Sequence, residues 1–351
     1  MGEATIYLWH ISPRYESRPR LCAQIDTVTR TLPIVDVAAL RNGHAGDRPT
    51  ASSALVDALS RVGFAVIVNH GVADRTIADM RRAVGEVFST PRELLAERTV
   101  RKGNYRGYVP LGFFTPNSGT GAPDQYEAWK LHFEVRADDP IRDACELYAP
   151  NVWPPTEQDV RAPILRYWDE LELLCNDLLT ALCEAMEINV ESVLQAMESP
   201  LTNMTLLNYP PTTPTPDTWG IHPHKDFNVL TVLAHDSVGG LEVRDRNGDW
   251  IDAACPEEAM VVNVGDMLEL WTGGRLVSTP HRVVNRSGRQ RQSFPFFCKP
   301  RWDVIVEPLL PPVSGFDRLP LHVGTSAADI WYSNWPDTAS SDPAQVLGDY
   351  R

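Results

Sequence analysis

The sequence predicts an α+β fold: a double-stranded β-helix, or jelly roll, of antiparallel strands, with a helical N-terminal half packed on its outside. Three observations predict it. Beyond Pro200, short β-like runs follow one another between turns: "MTLLNY", "NVLTVLAH", "LEVRD", "WIDA", "MVVNV", "MLELW", "LVSTPHRVV", "SFPFFC" and "WDVIVE". That spacing belongs to a sandwich or jelly roll. Before Pro200, apolar residues recur at three- and four-residue intervals, the pattern of helices with one buried face. With 351 residues, 43% apolar and 22% charged, the chain can form a large core without disulfides or a structural metal.

Residues 1–32 show no periodicity and read as an N-terminal arm. Residues 33–199 read as a mainly helical region, 200–310 as the jelly-roll core and 311–351 as a C-terminal helix and tail, all in one compact unit. "LPIVDV" is a short strand, and "FAVIVNHG", β-branched and closed by Gly71, a buried one. Thr50 or Ser52 is placed to cap the helix in "SSALVDALSRVG". Residues 74–89 set Ile77, Met80, Val84 and Val87 on one helical face, and "TPRELLAER" restarts a helix with Pro91 in its first turn. Residues 101–125, rich in Gly, Pro and aromatics, read as a long loop, a length common at functional sites. Over 157–198, Ile164, Trp168, Leu171, Cys175, Leu178, Leu182 and Met186 form a helical face for packing on a sheet. The Asn-Gly of "RNGD" marks a hairpin.

The formal net charge of −14 argues against nucleic acid or an anionic membrane as partner, because phosphate binding needs clustered Lys and Arg. Six cysteines form no C-x-x-C pair and no disulfide framework. The opening "MGEATIYLWHISPRY" has no basic segment followed by an apolar one, and no apolar run reaches the ~18 residues that span a bilayer. A cytoplasmic protein is expected.

"WGIHPHKDFNVLTVL" carries the chemistry. Strand alternation puts His224 and Asp226 on one face and Lys225 on the other. His281, in "STPHRVVN", lies in a later strand-like run. Two imidazoles and one carboxylate on one face suit Fe(II) and leave positions open for reactants. Structural zinc usually takes four ligands, often thiolates, and no cysteine is suitably spaced. His222 competes for the metal in principle, but its spacing to Asp226 and the Pro223 that follows favour a supporting role.

In "RQRQSFPFF", Arg291 and Ser293 share a face. An arginine aimed into a sandwich must meet an anion, since an unpaired buried guanidinium is very costly. A guanidinium fork plus a hydroxyl suits a carboxylate, and Tyr209 in "LLNYPP" offers a second hydroxyl. An internal salt bridge, with Asp266 or Glu269, is the competing reading.

The order "NYPP", "HPHKDFNVLTVL", "GGLEV", "NGDWIDA", "MVVNVGDMLELWTGGRLVSTPHRVVN", "RQSFPFFCKP" resembles the iron- and 2-oxoglutarate-dependent oxygenases of the isopenicillin N synthase-like type. "LPIVDVAAL" and "VGFAVIVNHGV" match that family's opening, so the resemblance spans 33–310. It implies Fe(II) held by His224, Asp226 and His281. It implies 2-oxoglutarate held at its distal carboxylate by Arg291 and Ser293 with Tyr209 alongside, and O2 as oxidant. The reaction implied is hydroxylation, desaturation or oxidative cyclisation at an unactivated C–H bond of a small molecule, with release of succinate and CO2, as in secondary metabolism. Two positions depart from the family. Lys225 stands where a small residue is common, and Leu207 stands where the family has Asn, with Asn208 shifted by one.

The resemblance points to "RGYVP", "EAWKLHFEV", the end of "RQSFPFF" and the C-terminal helix as substrate-facing. Tyr108, Trp129, Lys130, His132, Phe297 and Lys299 are then candidate pocket residues, and a lysine facing the pocket favours an acidic substrate such as an amino acid or other carboxylated metabolite. Two alternatives remain at this point: an iron oxidase of the same fold that does without 2-oxoglutarate, and a non-catalytic metabolite-binding jelly roll. Oligomeric state is not legible. His70 reads as structural, and His10, His44, His235 and His322 as surface or packing residues.

Overall fold

The computed structural model describes residues 31–42, 47–114, 123–211, 219–234 and 236–332. The expected arm apart from its last two residues, the tail after Tyr332, and His10, His44 and His235 lie outside them.

Among the described residues the first elements are β1 (Ile34–Asp36), α1 (Ala38–Asn42), α2 (Arg48–Arg61) and β2 (Phe64–Val68). Helix α2 begins earlier than its expected cap, with Pro49 in its first turn, and Ser52 bonds back to the Arg48 carbonyl instead. Next come α3 (Asp74–Ser89), α4 (Arg92–Ala96), β3 (Gly107–Val109), β4 (Glu127–His132) and α5 (Ile141–Ala144). The expected 157–198 helix is two: α6 (Arg161–Ala185) and α7 (Val190–Ala196). Glu187 takes a left-handed φ of 58° at the break, and Asn189 caps α7 by accepting from the Ser192 N–H.

The later part supplies β5 (Asn203–Tyr209), β6 (Ile221–His224), β7 (Leu230–Leu233), β8 (Leu241–Arg244), β9 (Trp250–Asp252) and β10 (Met260–Val264). A short helix α8 (Asp266–Trp271) follows, then β11 (His281–Val283), β12 (Arg291–Ser293), β13 (Phe296–Cys298), β14 (Ile305–Val306), β15 (Leu321–His322) and α9 (Val323–Tyr332). "MLELW" is thus helical, not a strand. Every residue of α8 is buried; Asp266 and Glu269, three apart, share one helical face, and Gly273 and Gly274 follow the helix at positive φ.

The larger sheet runs β1-β2-β10-β7-β13-β5-β4-β3, with β12 also on β5; a smaller one runs β6-β11-β8-β9. All pairs except β1–β2 are antiparallel. The N-terminal region is therefore not only an outer helical layer: β1 to β4 extend the larger sheet, β3 comes from the stretch that reads as loop, and β4 follows it in a segment assigned to no element. β8 and β9 form the hairpin expected at Asn247-Gly248.

Two apolar clusters separate the faces of the larger sheet. Val66, Ala128, Leu207, Tyr209 and Val261 pack with Leu241, Val243 and Val283 of the smaller sheet, forming the sandwich interior. Trp129, Leu131, Met204, Leu206 and Phe296 pack with the helices. Trp168 and Tyr167 of α6 meet Phe296 and Phe294 edge-on, with ring centroids 4.9 Å and 5.3 Å apart. Such an aromatic pair contributes about 0.5–1.5 kcal/mol beyond the area it buries. Among the described residues, no helix is long and apolar enough to cross a membrane.

Candidate metal and cosubstrate site

"WGIHPHKDFNVLTVL" is not one strand. β6 ends at His224 in the smaller sheet, and β7 begins at Leu230 in the larger. Asp226 lies in the crossing between them, where its carbonyl accepts from the Asp266 N–H at 2.8 Å. His281 opens β11 and is the direct cross-strand partner of His224. One ligand atom from each of His224, Asp226 and His281 lies within 4.8 Å of the others.

The hydrogen bonds aim these atoms. His224 Nδ1 meets the His222 carbonyl at 2.8 Å and His281 Nδ1 the Thr279 carbonyl at 3.2 Å. A carbonyl only accepts, so Nδ1 of each ring carries the proton and Nε2 keeps its lone pair. Asp226 Oδ2 accepts from the Thr231 hydroxyl at 2.6 Å and the Asn263 amide at 2.8 Å. Its Oδ1 is left 3.8 Å from His224 Nε2 and 3.7 Å from His281 Nε2. With metal–ligand bonds of about 2.0–2.2 Å, donors up to about 4.2 Å apart can share one ion. Burial by itself would raise the Asp226 carboxyl; the two imidazoles and the bonds from Thr231 and Asn263 outweigh it and hold the group below the usual carboxylate range. Burial, with the His281 ring beside it, lowers His224. A carboxylate and two neutral imidazoles are the protonation states that bind a divalent cation.

Thr231 and Asn263 escaped the sequence reading. Their signal is a lone polar residue inside an apolar strand, "LTVL" and "MVVNV", which must find a partner once buried. His222 stays outside the group formed by His224, Asp226 and His281. Its Nδ1 meets Asp124 Oδ1 at 2.6 Å, which fixes the backbone whose carbonyl orients His224. Lys225 points away, 3.7 Å from Glu269 and 4.0 Å from Asp266.

Arg291 is 1% exposed and pairs across β12–β5 with Tyr209. Its Nε donates to the Gly239 carbonyl at 2.6 Å, its Nη1 to Ser293 Oγ at 3.1 Å, and its guanidinium lies 4.7 Å from the Tyr209 ring centre. Gly240, at φ 86°, permits the turn that presents that carbonyl: a Cβ there would come within 2.5 Å of the Val284 carbonyl oxygen. Asp266 and Glu269 instead pair with Arg318 and Lys225, so the salt bridge considered for Arg291 does not form. Among the described residues no carboxylate pairs with this buried cation.

The pocket candidates divide by strand parity. One cross-strand row on the interior face runs His132, Asn203, Phe297, Thr231, Asn263, Phe64; the Phe64 ring packs edge-on against His281, 5.2 Å between centroids. Lys130 shares that face with His132, and Lys299 follows Phe297 by two. Tyr108 and Trp129 correct the expectation. They are paired with each other on the opposite face, where the Tyr108 hydroxyl donates to Glu127 at 2.6 Å and Trp129 Nε1 to the Val152 carbonyl at 2.9 Å. They support the wall rather than line the interior.

Comparison with known proteins gives the family. Residues 32–156 match the description "non-haem dioxygenase in morphine synthesis N-terminal", and residues 201–300 match "2OG-Fe(II) oxygenase superfamily". The chain is 30% identical over 269 residues to a 2-oxoglutarate-dependent dioxygenase of Trichoderma harzianum, covering 75% of this chain and 82% of that protein. It is also 30% identical over 262 residues to a homoarginine-6-hydroxylase of Oryza sativa subsp. japonica, covering 73% and 79%. A full-length Neurospora crassa protein, solved in complex with alpha-KG and thymine, shares the fold with a TM-score of 0.76 over 87% of this chain and 97% of that one, at 23% identity. With both family segments present in order, and with relatives matched along most of their length, the chain belongs to the 2OG-Fe(II) oxygenase superfamily, non-haem dioxygenases that require Fe(II), 2-oxoglutarate and O2.

Proposed function

We propose that His224, Asp226 and His281 are the iron ligands and that Arg291, Ser293 and Tyr209 receive the distal carboxylate of 2-oxoglutarate, so that the enzyme oxidises a C–H bond of a small-molecule metabolite. The observation that carries the reading is Asp226 Oδ1, which has no hydrogen bond among the described residues and lies 3.7–3.8 Å from two imidazole Nε2 atoms. A second support is Arg291, a buried cation lacking a carboxylate partner among the described residues, with two hydroxyl groups beside it.

Bound together, Fe(II) and 2-oxoglutarate supply the oxidising power, with O2 consumed and succinate and CO2 released as the substrate is oxidised. The chain's residues orient and protect. Thr231 and Asn263 fix the carboxylate rotamer, and the His222 and Thr279 carbonyls fix the two tautomers. Arg291 neutralises the incoming carboxylate in a site closed to water, where a charge-assisted bond is strongest. Phe64 and Phe297 present apolar surface next to the ligands and limit water there. Among the described residues, Cys145, Cys175, Cys183 and Cys298 are buried free thiols, which supports a reducing, cytoplasmic setting.

Calorimetric titration with Mn(II) in the absence of O2 tests the ligand set: His224→Ala, Asp226→Ala and His281→Ala should each lose at least 100-fold in affinity. Wild-type affinity in any of the three would remove that residue from the set. Succinate released one-for-one with substrate consumed separates this reaction from an oxidase that spares 2-oxoglutarate.

A further inference from the structure

Three basic side chains gather on the interior face with no acid among them. Lys130 lies on β4 opposite Thr205, and His132 opposite Asn203. Lys299 reaches Asn203 from beyond β13, its Nζ 2.9 Å from Asn203 Oδ1. The Lys130 ammonium lies 4.8 Å from the Tyr105 ring centre and 5.9 Å from that of Phe114. Neither lysine has a carboxylate partner among the described residues. His132 Nε2 meets the Tyr105 carbonyl at 3.1 Å and so carries the ring proton, leaving Nδ1 as an acceptor. Thr205, 4% exposed on the same face, has a hydroxyl with no hydrogen-bond partner among the described residues.

Buried ammonium groups are costly unless they meet an anion or give up their proton, and an anionic ligand would hold both lysines charged. Resting on the functional reading above, we infer that Lys130, Lys299 and Thr205 form a subsite for an anionic oxygen group of the substrate, a carboxylate or a phosphate, on the same sheet face as the iron ligands' supports. Lys299 sits at the end of β13, which pairs with β7, the strand that carries Thr231; Lys130 is two strands further across. With strands about 4.8 Å apart, the anion is held roughly 5–15 Å from Asp226. That separation lets a compact substrate be gripped at its acid end while a carbon nearer the metal is oxidised. The aromatic rings of Tyr105, Phe114 and Phe297 favour an apolar body between the two ends.

Burial, reinforced by the Lys299 charge, pushes Lys130 down to about 7, and burial pushes Lys299 down to about 8 against an opposing pull from the Asp226 carboxylate. Both directions are those of buried ammonium groups not bonded to a carboxylate among the described residues. Burial and the neighbouring cations also lower His132, so it stays neutral and adds an apolar edge and one acceptor rather than a third charge.

The test uses the full chain loaded with Mn(II) and 2-oxoglutarate, with benzoate and inorganic phosphate as probes and benzamide as the uncharged control. Nuclear relaxation of the probe by Mn(II) reports binding near the metal without turnover. Benzoate or phosphate should show saturable relaxation that benzamide lacks, and Lys130→Met/Lys299→Met should weaken it at least tenfold while Mn(II) and 2-oxoglutarate affinities hold. The tighter of the two anions assigns the group. Should the double variant not fold, Thr205→Val and the single Lys→Gln variants should each weaken the probe at least threefold. Equal relaxation in these variants, equal relaxation from benzamide, or none in the wild type overturns the subsite. Failure of the iron reading appears separately, as Mn(II) affinity retained in His224→Ala.

Discussion

His224 and His281 face each other directly across β6 and β11, with ring centroids 4.2 Å apart. Adjacent antiparallel strands hold such a pair at fixed spacing without help from the metal. The carboxylate is different: Asp226 sits between sheets and depends on side chains of the larger one.

That dependence makes Thr231 a test of positioning. Thr231→Val removes the hydroxyl from Asp226 Oδ2 while keeping shape. Mn(II) affinity by calorimetry should fall about 10–100-fold, with the thermal midpoint changed far less than by a core truncation.

Arg291→Leu should weaken 2-oxoglutarate binding, measured by titration of the Mn(II)-loaded protein, by roughly 10–150-fold, the equivalent of one charge-assisted bond at about 1.5–3 kcal/mol. Mn(II) affinity should be unchanged. Because the variant removes a buried cation without a carboxylate partner, the thermal midpoint of the ligand-free protein should hold or rise.

Glu127 predicts an acid-sensitive wall. Burial favours its neutral form, but hydrogen bonds from Arg92, Tyr108 and Asn208 prevail and keep the carboxyl below its ordinary value. A carboxyl lowered in the folded state stabilises above its unfolded pKa, and that stability is lost as pH falls through the folded one. Glu127→Gln should therefore cost stability at pH 7 and narrow its deficit towards pH 3, as read by urea midpoints.

Lys130 predicts a dependence at the other end of the scale. Its pKa falls from 10.5 to about 7 on folding, so the unfolded chain binds the extra proton between those values. Wild-type stability should rise relative to Lys130→Met as pH increases from 7 to 10. Lys299 and the rings of Tyr105 and Phe114 are the groups facing it. Parallel denaturation curves at pH 7 and 9.5 with an unchanged gap would contradict the burial of an unpaired ammonium.

Trp168→Ala should destabilise by about 3–5 kcal/mol, because the indole fills the contact between α6 and Phe296. Chemical denaturation measures it, and the refolded fraction should still bind Mn(II).

The residues of the candidate site were legible in the chain because they are types that a core has no use for: two imidazoles and a carboxylate near apolar strands, then an arginine and a serine two apart. The jelly roll was legible because short alternating runs and glycine turns are local signals, and Asn247-Gly248 fixes its hairpin within a few residues. Other features required the tertiary structure. Alternation tells which residues share a face, not which face turns inward; only the pairing of β4 with β5 sends Lys130 and His132 to the interior and Trp129 to the helices. β3 escaped notice because Gly, Pro and aromatic residues mask its pattern, β4 because its short run was assigned to no element, and α8 because a short helix between two strands offers one polar pair, Asp266 and Glu269, too few to reveal a period. The contact of Asp226 with Thr231 and Asn263 depends on where the crossing lands between two sheets, and that is settled by the packing of strands distant in the chain.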